Sequence, residues 1–133
     1  MPDTAEEKIV RDFFATLSEG DYDRLRTMLH PEATWEVMSK AIPGAGIHRG
    51  RAGIIDEFLG PVRGLFRPGD PKVRIKRMFS KDGFVSAETE AVGKLSDGRD
   101  YHNHYCWSIE VKDGTVLVLR EYMDTAYIVA LFG

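Results

Sequence analysis

The chain has 133 residues, 43% of them hydrophobic and 29% charged. That is the composition of a single globular domain, 1–133, able to bury a core without disulfides, and it excludes disordered and fibrous classes. Its 18 Lys and Arg against 21 Asp and Glu leave a net charge of −3 with no basic block, which argues against nucleic acid as a partner. Cys106 is the single cysteine, so thiolate zinc clusters and intramolecular disulfides are excluded and a reducing compartment fits. No apolar run is long enough to span a membrane, and Asp3, Glu6, Glu7 and Asp12 interrupt the segment where a secretion signal would lie. A cytoplasmic protein with no membrane partner is therefore expected.

Thr4 followed by Glu7 forms a capping-box signature, and Ile9, Val10, Phe13, Phe14 and Leu17 recur at helical spacing, predicting a helix at about 5–18. Gly20 ends it and Asp21 caps a short second helix with Tyr22, Leu25, Met28 and Leu29 on one face, closed by Pro31. Ala33 to Met38 has strand character, the Pro43-Gly44-Ala45-Gly46 stretch is a loop, and Gly50 opens a third helix on Ile54, Ile55, Phe58 and Leu59. His48 and Arg49 then fall on a loop at the mouth of any pocket. Beyond Pro71 the period becomes two, and Asp82-Gly83, Asp97-Gly98 and Asp113-Gly114 mark hairpin turns between strands at about 72–80, 84–95, 100–111 and 115–125. Helices followed by a strand meander predict an α+β domain whose helices cover one face of a curved sheet of five strands.

Alternation sorts the side chains of these strands. On 100–111, Asn103, Tyr105, Trp107 and Ile109 form the better core face, with His102, His104, Cys106 and Ser108 opposite. On 115–125, Leu117, Leu119, Glu121 and Met123 oppose Val116, Val118, Arg120 and Tyr122, so both faces begin apolar. One face suits a pocket and the other a second subunit, which predicts a homodimer through Val116, Val118, Tyr122, His102 and His104. On 84–95 the small set Val85, Ala87, Thr89 and Ala91 is the apolar one, so alternation alone turns Glu88 and Glu90 to solvent.

Several segments together resemble a known family: Glu7-Lys8-Ile9-Val10 leading to Phe14, Glu19-Gly20-Asp21-Tyr22, His30-Pro31-Glu32-Ala33-Thr34-Trp35, Gly50, Asp113-Gly114, and above all Arg120-Glu121-Tyr122-Met123-Asp124. Nearly the whole chain is similar to the SnoaL-like branch of the NTF2-like superfamily, which also holds ketosteroid isomerases and limonene-epoxide hydrolases. The resemblance implies an NTF2-like cone-shaped α+β barrel, with N-terminal helices on a curved, mostly antiparallel sheet and a deep apolar pocket between them. It also implies a dimer packed sheet to sheet. The fold hosts enzymes and pure binding domains alike and so decides no reaction.

Residue by residue, the resemblance is selective. The isomerase tyrosine falls on Phe13, its aspartate base near Val37 and its protonated acid near Trp107, so none of the three is kept. The epoxide-hydrolase Arg-x-Asp pair falls on Glu88 and Glu90, turning both inward against the alternation reading, and its last aspartate falls on Glu121. The tyrosine and asparagine that hold its water fall on Trp35 and Val37. Glu90 and Glu121 are thus the expected catalytic carboxylates, one held protonated by burial and by its like-charged neighbour. Phe13, Trp35, Val37, Glu88, Asn103, Tyr105, Trp107 and Met123 are the expected substrate-binding residues.

His102 and His104 share a strand face at i and i+2, but no third ligand is evident at useful spacing, and the reading preferred for them is a polar dimer surface with no metal. Cys106 reads as a packed, inert thiol. Two functions follow for an aromatic concavity with few polar groups. One is a cofactor-free isomerase, cyclase or hydrolase for a small apolar molecule, using pocket carboxylates as general acid and base. The other is a noncatalytic ligand-binding or dimerisation domain. A pocket glutamate of raised pKa favours the first, and a pocket collapsed by aromatic side chains favours the second.

Overall fold

A computed structural model of the protein describes residues 2–132. Helix α1, Ala5–Glu19, starts where the Thr4 side chain accepts from the Glu7 N–H and ends at Gly20 in the left-handed conformation, with φ 71°. Its apolar stripe, including Val10, Phe13, Phe14 and Leu17, is buried. Helix α2, Tyr22–Met28, is capped by Asp21.

Strand β1, Leu29–Val37, begins earlier than expected and runs through Pro31. Proline is tolerated there because the pairing of β1 with β6, Thr115–Met123, is irregular between Leu29 and Thr34, where no ladder N–H is required of it. Strand β2, Gly46–Arg49, then pairs antiparallel with β1, so His48 and Arg49 lie on a strand and the loop expected there stops short of them. The third helix is broken into α3, Gly50–Ile54, a π-turn, Ile55–Leu59, and α4, Gly60–Arg63.

Strands β3, Lys72–Lys81, β4, Phe84–Lys94, and β5, Asp100–Lys112, complete the meander with β6. The tight-turn reading of Asp-Gly holds at Asp82-Gly83 and Asp113-Gly114, where both residues of each pair take positive φ. At Asp97-Gly98 only Gly98 does, and the Asp97 carboxylate accepts from the Arg99 N–H at 3.0 Å. Helix α5, Thr125–Phe132, follows β6 and was not expected. Its start is marked by Asp124, which accepts from the Tyr127 N–H at 3.2 Å.

Among the described residues the sheet has six strands in the order β2-β1-β6-β5-β4-β3, every pair antiparallel except β1 with β6. It is an α+β fold with a curved, open sheet, as the NTF2-like reading implies, with one strand more than expected. The core lies between the helices and the concave face, where Trp35, Phe13, Phe14 and Ile109 are almost wholly buried. Two bulges set which side chains join it. One skips Leu117 between the Glu110 and Val111 pairings, and this turns Val116 into the core, away from the convex face to which alternation assigned it. The other skips Lys76 on β3.

Candidate functional site

A cavity of about 100 Å³ opens between the concave sheet face and the helical layer. Leu17 of α1, Phe58 of the π-turn, Val62 and Arg63 of α4, and Ile128 and Phe132 of α5 wall it on one side; Trp35, Val37, Tyr101, Tyr105, Trp107 and Glu121 line it from the sheet. Glu121 is the one carboxylate and Arg63 the one cation among the described lining residues.

Register places Glu121 between Val37 of β1 and Trp107 of β5, since it pairs with both. Its Oε1 accepts from the Trp35 indole Nε1–H at 2.7 Å. Among the described residues no sealed side-chain oxygen lacks a partner, so the second carboxyl oxygen, which has no hydrogen-bond donor, is the one open to the cavity. Burial among apolar walls pushes the Glu121 pKa up to about 7, although the indole hydrogen bond pulls it down.

The remaining polar groups form a connected set. The Tyr101 and Tyr105 hydroxyls lie 2.5 Å apart. Asn103 donates through Nδ2 to the Tyr101 hydroxyl at 3.2 Å and to the Asp124 carbonyl at 3.2 Å, while its Oδ1 accepts from the His104 N–H at 2.9 Å. With its amide so fixed, Asn103 loads one acceptor site of Tyr101, and one of the two phenolic hydrogens is left over after the Tyr101–Tyr105 bond is made. Burial raises the pKa of both phenols, and the Glu121 charge raises them further, so both stay protonated as donors. Trp107 donates to the Thr89 hydroxyl at 3.0 Å, which completes the polar inventory of the sheet wall. Arg63 donates to the carbonyls of Pro71, at 3.2 Å, and Ser18, at 3.5 Å, at the C-terminal end of α1.

Of the residues expected here, Trp35, Val37, Tyr105, Trp107 and Glu121 line the cavity together. Phe13 is core, packed edge-on to Phe14 and tilted against Trp35, and does not itself line the cavity. Asn103 is buried behind Tyr101, and Met123 packs against the core without lining the cavity. The inward placement of Glu88 and Glu90 is corrected: both lie on the convex face, because Val85, Ala87, Thr89 and Ala91 take the buried positions of β4. Each glutamate stands across from a β3 arginine, Glu88 bonded to Arg77 at 3.0 Å and Glu90 to Arg74 at 2.7 Å. Those two arginines are the sequence signal that alternation could have used. Hydrogen bonds from His102 and Arg74 hold the Glu90 carboxyl below its usual range, the opposite of a poised acid. Tyr101 was missed although it continues the Asn103–Tyr105–Trp107 alternation by one step.

Residues 10–118 match the family described as the SnoaL-like domain. The chain belongs to the SnoaL-like domain family. Solved structures repeat this SnoaL-like chain's fold over nearly its full length. Bal32a, from a soil-derived mobile gene cassette, is 25% identical with a TM-score of 0.82, covering 96% of this chain and 95% of its own. TerC, co-crystallised with polyporic acid, is 17% identical with a TM-score of 0.83 over 96% and 98% of the two chains. An LEH-like epoxide hydrolase from M. tuberculosis is 20% identical with a TM-score of 0.78 over 96% and 89% of the two chains. Among curated proteins none matches. No helix among the described residues is long and apolar enough to cross a membrane.

Proposed function

We propose that this SnoaL-like protein is a cofactor-free cytoplasmic enzyme of isomerase, cyclase or hydrolase type that acts on a small apolar molecule, with Glu121 as general acid or base. The observation that supports it is a lone carboxyl with a pKa of about 7 at the wall of an apolar cavity. Such a group is half protonated near neutrality and can take a proton or give one with little thermodynamic bias. The spare hydrogen of the Tyr101–Tyr105 pair is the donor for a substrate oxygen, and Trp35 holds the carboxyl still while its other oxygen works. An aspartate–arginine–aspartate arrangement is not part of this proposal, because Glu88 and Glu90 stand on the opposite face of the sheet.

One observation favours the noncatalytic ligand-binding reading. The cavity, at about 100 Å³, is smaller than ordinary ligand sites of roughly 300–1,000 Å³, and the aromatic rings of Trp35, Phe58 and Trp107 pack on one another inside it. Screening apolar ketones, lactones and epoxides for turnover and for thermal stabilisation separates the two. For the enzyme, Glu121→Gln lowers kcat by roughly two to four orders of magnitude on any substrate found, and kcat/KM titrates near neutral pH. Thermal stabilisation by ligands without turnover establishes the binding domain instead, and equal turnover by the Gln variant removes Glu121 from the chemistry.

A further inference from the structure

The convex face carries a second group of ionisable side chains that the proposed reaction does not use. His102 and His104 project from β5 on one face, and Glu90 of β4 pairs directly with His104. One donor atom from each of the three lies within 4.8 Å of the others. The third ligand absent from the linear spacing is therefore supplied by the neighbouring strand. The Glu90 Oε2 already holds the His102 Nε2 at 2.6 Å, and the two imidazoles stand with centroids 5.0 Å apart.

We propose that Glu90, His102 and His104 form a binding site for a divalent transition metal of the zinc type. Two imidazole nitrogens and one carboxylate oxygen are a donor set that Zn²⁺ accepts, at about 2.0–2.2 Å from each ligand, and a fourth position stays open to water. Donor separations in a tetrahedral site are about 3.3 Å on that geometry, which lies between the 2.6 Å of the Glu90–His102 pair and the 4.8 Å that bounds the set, so small side-chain rotations are what the site requires. Two cations stand against it. Arg74 bonds the Glu90 Oε1 at 2.7 Å, and Lys76, bulged out of the β3 ladder, donates to the His104 Nδ1 at 3.3 Å. The Arg74 side chain is 69% exposed, so its guanidinium has room to swing to water when a metal takes the carboxylate. The Lys76 contact marks the His104 Nδ1 as carrying a lone pair, since a lysine ammonium only donates.

The test is titration of the untagged, full-length protein with ZnCl₂ by calorimetry at about pH 7.5, with Co²⁺ absorption as an independent readout of coordination. The proposal expects one Zn²⁺ per chain at micromolar dissociation constant. His102→Ala, His104→Ala and Glu90→Gln should each weaken it by about tenfold or more, by analogy with the loss of other metal-site interactions. Far-ultraviolet dichroism verifies that these surface variants keep the fold. His30→Ala, remote in sequence, and Cys106→Ser, on the same strand face, should bind as the parent does. Absence of binding at about 100 µM Zn²⁺, or binding lost in the His30 or Cys106 variant and retained in the His102 variant, overturns it. Turnover of any substrate is not part of the readout, so the outcome is independent of the role assigned to Glu121.

Discussion

Glu121 shows how a single residue couples the fold to the proposed chemistry. Its folded pKa of about 7 stands above the ordinary 4.5, so between those values the folded chain binds a proton that the unfolded chain releases. Stability from this group is therefore greatest below about pH 4.5 and is lost as pH rises through 7, to a total on the order of 3 kcal/mol. Glu121→Gln keeps the acceptor for the Trp35 indole and cannot ionise. Urea unfolding should find this variant more stable than the parent by up to about 3 kcal/mol at pH 8, with most of the gap gone at pH 5. A pH-independent difference would mean that the carboxyl is ordinarily solvated. The same residue was legible in the sequence, because alternation from Leu119 through Met123 turns it inward whatever family is invoked. Glu90 was misplaced because the register borrowed from the epoxide-hydrolase pattern overrode that same alternation, which had it right.

At the scale of elements, the π-turn aims Phe58 at the site. Its ring meets Trp35 edge-on at 5.3 Å and is covered by the parallel His48 ring at 4.0 Å. His48 is in turn tied to the Gly44 carbonyl at 2.6 Å. Gly44 has φ +79°, and a Cβ there would sit 2.6 Å from the Phe58 ring. Gly44→Ala therefore combines an unfavourable backbone conformation with a clash against a packed aromatic, and should lower stability by about 1–3 kcal/mol in chemical denaturation. An unchanged midpoint would show that the 43–46 loop is free to move off Phe58. Neither the four-residue β2 nor the break in the third helix was legible, since a strand of that length carries too little periodicity and Ile54, Ile55, Phe58 and Leu59 fit an unbroken helix equally well. Helix α5 was hidden by Tyr127, Ile128 and Val129, whose β-favouring side chains follow a strand without a glycine or proline between.

For the whole molecule, the sheet has two unlike faces. The convex one carries a lattice of ion pairs, Arg74–Glu90, Arg77–Glu88 and Arg120–Glu110, together with exposed Phe79, Phe84 and Tyr122. We propose that a second copy of the chain covers part of this face, as the apolar side chains there would otherwise stay in water. Val116 is core and takes no part in that contact. Light scattering at micromolar concentration should return twice the 15.0 kDa chain mass, and Tyr122→Glu should shift the protein toward monomer. A 15.0 kDa particle in the parent would rule this out.

The parallel pairing of β1 with β6 has a consequence for the way the protein is made. Trp35 and Glu121, which meet across that seam, are 86 residues apart. During synthesis at about 5–20 residues per second, β1 waits several seconds with the short β2 as its one strand partner, its other edge unpaired and its tryptophan still lacking Trp107 and Glu121. The meander, in contrast, consists of neighbours that can pair as soon as each turn emerges. Helices α1 to α4 are thus made early but sealed late, and the proposed acid–base group arrives with the strand that does the sealing.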